Sequence, residues 1–475
     1  MIASRLPVIL LIIVSALPSA AEIHLAQGLL AGEVTAGSAI LQTRLTAVPS
    51  LTEGDVPGAA GVGRFEIAGS ANFKDARQTP WLKATADGDF ILRAKVDELE
   101  AGSTYHYRVL YGEREDRVKA GAAASFKTLP DPRQGAAVDF IVTSCLNYSF
   151  FMDGTKGMPA YPGEDRLQGY PALDPMHRLE PDFVIINGDA VYYDHPAATR
   201  AKSLAEMRKK WHEQYVFPRF VRLFASAPTY WLKDDHDHRR NDSDATGDYQ
   251  PSHRLGIDTF REQVPVVPPG EPGAETYRTH RMGRDLQLWF VEGRDFRSPN
   301  KSADGPGKSL WGDEQKAWLQ RTLKESDATF KILVSPTPMI GPDDAYKTDN
   351  HANEGGFRHE GEAFFAWLKS AGIAPGRFFI VCGDRHWKYH SRHSSGVEEF
   401  SCGALNRENA RLGRAPGTKG STDPEGEVVQ PYSDRPASGG FLRVALTPGD
   451  GERAARLEIS QHDDRGAVLY RHQTP

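Results

Sequence analysis

Cysteine is scarce in this chain of 475 residues, which carries three: Cys145, Cys382 and Cys402. So few exclude a small scaffold stapled by disulfides, and an odd number leaves at least one thiol unpaired in an oxidising compartment. Cys145 ends an apolar run and precedes Leu146-Asn147-Tyr148, so it is the thiol expected to have a chemical use. Cys382 lies inside the run FFIVC and reads as a small buried core residue, and a Cys382–Cys402 disulfide stays open. An excess of basic charge is also missing. Lys and Arg total 57 against 63 Asp and Glu, for a formal charge of −6, and no long basic run occurs, which argues against nucleic acid as a partner. Internal repeats and low-complexity tracts are absent. With 39% hydrophobic and 25% charged residues, what remains is a globular chain large enough for two or three domains.

The first residues, MIASRLPVILLIIVSALPSAAE, combine one basic residue, Arg5, with an apolar run and then small residues up to Ala21. This is the layout of a secretory signal peptide over 1–21. The apolar run falls short of the ~20 residues a spanning helix needs. No later segment is long and apolar enough to span a bilayer, so the expected mature protein is exported, periplasmic or secreted, with no membrane span.

Composition changes near residue 130. Residues 22–130 hold short alternating runs such as AGSAILQTRLTAV, GRFEIAGSA, DFILRAKVDEL and STYHYRVLYG between turn signals, which predicts a small antiparallel β-sandwich of Ig or fibronectin III type. From 136 to 475 strands alternate with helical stretches, the α/β pattern. Helices are expected over 204–225, 312–326 and 360–371, the second with Gln315, Trp318, Leu319 and Leu323 at helical spacing. Further strands are expected near 377–382, 396–402, 440–446 and 456–470.

A local pattern recurs within this α/β region: an apolar run ends in a side chain able to bind metal. It occurs in VDFIVTSC, PDFVIINGDAVYYD, APTYWLKDDHD and RFFIVCGDRHW. Loops at the carboxyl ends of strands in an open α/β sheet converge on one crevice, so Cys145, Asp189, Tyr192, Asp235, Asp384 and His386 read as one metal centre. A lone Gly-Asp more often caps a helix; four such strand ends in one chain reverse that preference. A carboxylate can bridge two cations, a phenolate suits a hard trivalent ion and a thiolate adds a softer donor, so iron fits this set. Within KDDHDHRRND, His236 is the preferred acid or phosphate contact, whereas Asp234, Asp237 and Asp242 read equally as supporting or surface residues. His390 and His393 stay open between ligands and a solvated loop. At a fifth strand end, GRDFRSPNKS offers Arg294, Arg297 and Lys301, and guanidinium groups there would form an anion clamp.

The order SC, PDFVIINGDAVYY, WLKDDHD, FVEGRDFR, LWGDEQKAWL and VCGDRH resembles the alkaline phosphatase D (PhoD-like) family of metallophosphatases. LLAGEVTAGSAILQTRL with FKTLPDP is similar to that family's N-terminal β-sandwich. The resemblance implies a four-layer αββα metallophosphoesterase core over 136–475, using Fe3+ and Ca2+. It implies iron at Cys145 and Tyr192, Asp189 between the metals, Asp235, Asp384 and His386 completing the sites, and Arg294 facing phosphate. The chain departs from the family's usual Asp-Thr-Arg at Glu292-Gly293-Arg294. The expected function is an exported hydrolase of phosphoric monoesters that activates water on metal. A phosphodiesterase of the same fold is the alternative, a non-catalytic surface binding protein is a third reading, and sulfate esters are further candidate substrates.

Overall fold

The computed structural model describes residues 22–474 except Lys156. The expected signal peptide, 1–21, lies outside the described residues. Two large sheets pack face to face, with helices on both outer surfaces, giving four layers. The first sheet has nine strands in the order Val468–Gln473, Arg456–Asp463, Gly440–Thr447, Val138–Thr143, Phe183–Asn187, Thr229–Leu232, Leu29–Gly32, Ala39–Arg44, Ile91–Val96. The second has seven: Arg278–Met282, Leu286–Phe290, Phe330–Ser335, Phe378–Cys382, Glu398–Cys402, Lys388–Arg392, Val429–Ser433.

The central strands of both sheets are parallel and covered on both faces, which is why they read as continuous apolar runs rather than alternating ones. Between the sheets, Phe140, Val142, Phe183, Ile185 and Tyr230 meet Leu288, Phe290, Ile332, Val334, Phe379 and Val381. On the outside of the first sheet, Met207, Trp211, Phe220, Leu223 and Phe260 cover Ile141, Val184, Ile186 and Trp231. Leu319, Leu323, Phe364 and Leu368 do the same for Trp289, Leu333, Phe378 and Ile380 of the second.

The helix expected over 204–225 is two helices, Leu204–Tyr215 and Pro218–Phe224. A capping box of Ser203 and Glu206 starts the first. Pro218 has no amide hydrogen to continue it and instead opens the second at its first turn. The helix Asp313–Glu325 buries Gln315, Leu319 and Leu323, and Arg358–Ser370 is the third of those expected. The single strand expected over 456–470 is a hairpin, Arg456–Asp463 with Val468–Gln473.

The N-terminal region is β-rich, and its two layers close on Leu41, Phe65, Ile67, Leu92, Tyr107, Val109 and Phe126. One layer is a separate sheet built on Gly61–Ala68 and Thr104–Arg114. The other is continuous with the core: Leu29–Gly32 runs parallel to Thr229–Leu232 and pairs through Gly32 and Thr229. The N-terminal strands thus extend the first core sheet. All three cysteines are buried and unpaired.

Candidate metal centre

Four strand ends bring the chemistry together. Val138–Thr143 delivers Cys145, Phe183–Asn187 delivers Asp189, Thr229–Leu232 delivers Asp234 to Asp237, and Phe378–Cys382 delivers Asp384 and His386. Cys145, Asp189 and Asp384 all adopt left-handed backbone, with φ of 57°, 53° and 57°. Such a conformation costs an L-residue on the order of 1 kcal/mol, so three at one site mark a place where the fold accepts strain to aim side chains. The Gly-Asp pairs do not cap helices; each is a sharp turn off a strand. Gly188 has φ of 81°, and a Cβ there would lie 2.6 Å from Asp234 Cβ. A Cβ on Gly383 would lie 2.2 Å from Asn187 O, so only glycine lets these loops touch.

The donor atoms of Cys145, Asp189 and His386 lie within 4.8 Å of one another, as do those of Asp189, Asp234, Asp235 and Asp384. Asp189 belongs to both groups. Its Oδ2 accepts from the Tyr192 hydroxyl at 3.1 Å and lies 3.5 Å from Cys145 Sγ. A nitrogen of His236 completes a further group with Asp189 and Asp235. All seven residues expected at the centre or beside it, with Tyr192 and His236 included, therefore meet in one place.

The cluster packs buried acids against the cations His236, Arg294, Lys347 and Arg385. Burial opposes ionisation of Asp235, yet His236, Arg294 and Lys347 hold its carboxyl well below the usual carboxylate range; they do not do so for Asp189. Burial, reinforced by Asp235, Asp234 and Asp237 against the opposing pull of His236, pushes the Asp189 carboxyl well above the usual range. Burial likewise raises Asp237 to about 7. Its carboxylate accepts from the amides of Ala190 (2.9 Å) and Asp234 (2.6 Å), tying two ligand loops together. Asp234 Oδ2, Asp235 Oδ1 and Asp349 Oδ2 are buried without a hydrogen bond among the described residues. A buried acceptor left open costs stability; Asp349 Oδ2 has Arg294 Nη2 3.6 Å away, whereas Asp234 Oδ2 and Asp235 Oδ1 point to a cation as the missing partner. Thiol, phenol, imidazole and carboxylate donors around a shared aspartate suit a pair of metal ions of differing softness.

His236 is held as a cation. Burial alone would lower it, but Asp194, Asp235 and Asp189 together raise it well above the ordinary histidine value. Its Nδ1 lies 2.7 Å from Asp194 Oδ1, and its ring stacks on Tyr192 with centroids 4.1 Å apart. Burial lowers His386, and the cations Arg411, His236, Arg385 and Lys347 add to this, leaving a neutral imidazole, the form that binds metal.

Both arginines expected as an anion clamp are buried, each with an Nη2 that makes no hydrogen bond among the described residues. Arg294 is fully buried, its Nε donating to Asp234 Oδ1 at 2.7 Å and its Nη1 to Ser243 O at 2.8 Å. Its Nη2 makes no hydrogen bond, although it lies 2.6 Å from Asp234 Oδ1. Arg297 is buried too, bound to Gly293 O and Asn300 Oδ1 and lying over the Phe357 ring. Lys301 is exposed, and His390 lies on the strand Lys388–Arg392, not in a loop.

Several residues were not singled out from sequence. Asn409 donates to the Tyr192 hydroxyl and to Cys145 O, both at 3.0 Å. Asp194 orients His236, and Lys347 Nζ lies 2.8 Å from Asp242 and 3.9 Å from Asp384. Arg385 pairs with Asp343 and Asp384. The residues from 341 to 357 carry no periodic pattern; only the density of Asp, Asn and Lys in GPDDAYKTDNHAN hinted at a polar wall.

Comparison with known proteins relates most of the chain to phosphatases. The sequence model described as PhoD-like phosphatase matches residues 140–434, and that of the PhoD-like phosphatase N-terminal domain matches 14–130. Alkaline phosphatase D of Bacillus subtilis is 23% identical over 349 residues, covering 67% of this chain and 57% of the relative, so the chain spans little more than half that protein's length. Among solved structures, PhoD superposes with a TM-score of 0.73 at 18% identity, covering 94% of this chain and 89% of its own. A purple acid phosphatase from yellow lupin, Lupinus luteus, gives 0.61 at 12% identity, covering 94% and 73%. At these identities the structural matches establish a shared fold.

Proposed function

The chain belongs to the PhoD-like phosphatase family, and from that premise we propose that it is a metal-dependent phosphoric ester hydrolase whose reaction takes place at the Asp189 cluster. The observation that carries the proposal is the convergence of Cys145, Asp189, Asp235, Asp384 and His386 from four strand ends, with buried acid oxygens among them that make no hydrogen bond among the described residues. We read residues 22–130 and 136–475 as its two domains. The N-terminal layout argues for an exported enzyme, and no helix among the described residues is long and apolar enough to cross a membrane.

Cys145, Tyr192, Asp189 and His386 would hold iron, and Asp189, Asp235 and Asp384 calcium. When bound, such ions neutralise phosphate oxygens and acidify water. The protein's own groups do the rest. His236, protonated and fixed by Asp194, is positioned to give its proton to the departing alkoxide, and Asp194 then stabilises the imidazolium as it reforms. Asn409 holds the Tyr192 hydroxyl toward Asp189. Arg294 anchors Asp234 through Nε, and the Nη2 groups of Arg294 and Arg297, which make no hydrogen bond among the described residues, would be available to a phosphate oxygen, with Lys347 beside Asp384.

A phosphomonoester is the leading substrate class. Diester hydrolysis is the second reading, favoured by residues around His386 and Lys347 that could receive a second substituent. Tyr346 and Leu412 are 76% and 59% exposed, and Arg411 lies over the Trp387 ring with its amide donating to His386 O. Matched chromogenic phosphate mono- and diesters, offered to one preparation supplied with iron and calcium, decide between them. Faster monoester cleavage supports the phosphatase, and faster diester cleavage the phosphodiesterase. No hydrolysis of either would overturn both.

A further inference from the structure

A second cluster of donors lies at the rim where the two sheets meet. Glu398 begins the strand whose other end is Cys402, the neighbour of Ser144 and Cys145, so the cluster lies about 13 Å along that strand from the Asp189 side. His390 comes from the adjacent strand of the same sheet, and His472 from Val468–Gln473, the edge strand of the other. Donor atoms of His390, Glu398 and His472 lie within 4.8 Å of one another. His390 Nε2 is 2.6 Å, and His472 Nε2 3.8 Å, from the same oxygen, Glu398 Oε2. Two imidazoles thus converge on one carboxylate oxygen across the seam between sheets.

The surroundings are those of a ligand set. His390 Nδ1 lies 2.9 Å from the Tyr470 hydroxyl, which engages one ring nitrogen and leaves Nε2 for the cluster, the arrangement that orients metal-binding histidines. Phe400 stacks on His390 at 4.2 Å, and Phe379 packs against His472 at 6.2 Å, so apolar walls restrict the rings. The His472 ring makes no hydrogen bond among the described residues, its polar side-chain contact being Glu398 Oε2 at 3.8 Å. Two imidazoles and a carboxylate match zinc and related borderline dications.

We propose that His390, Glu398 and His472 bind one Zn2+-type ion, with water completing its shell, as a structural site that fastens the C-terminal edge strand of the first sheet to the second. The site is separate from the Asp189 cluster and takes no part in ester hydrolysis.

The test is zinc per chain, by elemental analysis of the full-length protein after dialysis against buffered micromolar zinc. The parent is compared with His472→Ala and His472→Cys; position 472 is partly exposed on an edge strand, so the substitutions disturb little packing. The parent should exceed His472→Ala by one equivalent, whereas His472→Cys, which exchanges one zinc donor for another, should keep it. Zinc should raise the melting temperature of the parent and of His472→Cys but not of His472→Ala, with ester hydrolysis equal in all three. Equal zinc in the parent and His472→Ala would overturn the proposal, whatever the activity of the Asp189 cluster.

Discussion

Asp89 and Asp189 are both buried, both adopt left-handed backbone, and their carboxyls are shifted in opposite directions. Burial opposes ionisation in each. At Asp89 that effect is outweighed by His212, Arg44 and Gln263, which bring the pKa down to about 2. Its Oδ1 accepts from Arg44 at 3.0 Å, and its Oδ2 contacts His212 at 2.8 Å and Gln263 at 2.9 Å. Arg44 belongs to the N-terminal strands while His212 and Gln263 come from core helices, so this saturated network joins the two regions of the chain. At Asp189 burial adds to the repulsion of three further aspartates, and nearby acid oxygens have no partner. A buried acid that the protein neutralises supports the fold; one that the protein leaves uncompensated awaits a ligand.

The largest expected effect comes from Asp189→Asn, which should lose bound metal and hydrolysis together, as read by elemental analysis and turnover. The same change should raise the melting temperature of the metal-free protein, because it removes an unneutralised acid from the cluster. A metal-free variant less stable than the metal-free parent would break the comparison. His236→Ala should keep its metal and lose about 10²–10⁴-fold in kcat, the usual share of a proton donor; loss of metal instead would make His236 a ligand. Asn409→Ala, which frees the Tyr192 hydroxyl, should weaken metal retention or activity by roughly 10–100-fold.

Asp89→Asn should leave turnover unchanged and lower unfolding stability at neutral pH by about 2 kcal/mol, from a shift of 3.8 to about 2 at 1.36 kcal/mol per unit. The sign follows from a depressed acid. Its contribution is complete above the unfolded pKa near 4 and is lost as pH falls through about 2, so denaturant curves of parent and variant should converge across that interval. A gap that widened toward acid pH would contradict the pairing.

The strand ends that meet at the Asp189 cluster were legible because buried parallel strands read as unbroken apolar runs, and Cys145, Gly188-Asp189 and Gly383-Asp384 stop those runs abruptly. Pro218 also carried a signal, and reading through it merged two helices. The pairing of Gly32 with Thr229 was hidden, since a parallel contact across nearly 200 positions leaves no local pattern. Asn409, Lys347 and Asp349 were hidden for a related reason: they stand in irregular loops fixed by tertiary hydrogen bonds. An arginine after a strand looks the same whether it faces a phosphate or a buried aspartate; Arg294 holds Asp234 through Nε while its Nη2 makes no hydrogen bond among the described residues.

The most direct measurement is hydrolysis of a chromogenic phosphate ester by the full chain stripped with chelator, then refilled with iron and calcium, with Asp189→Asn carried alongside. Stripping should abolish hydrolysis, refilling should restore it in the parent, and Asp189→Asn should stay inactive throughout. Hydrolysis at the parent's rate by the stripped protein, or by Asp189→Asn, would contradict the assignment of this cluster as the reactive metal centre.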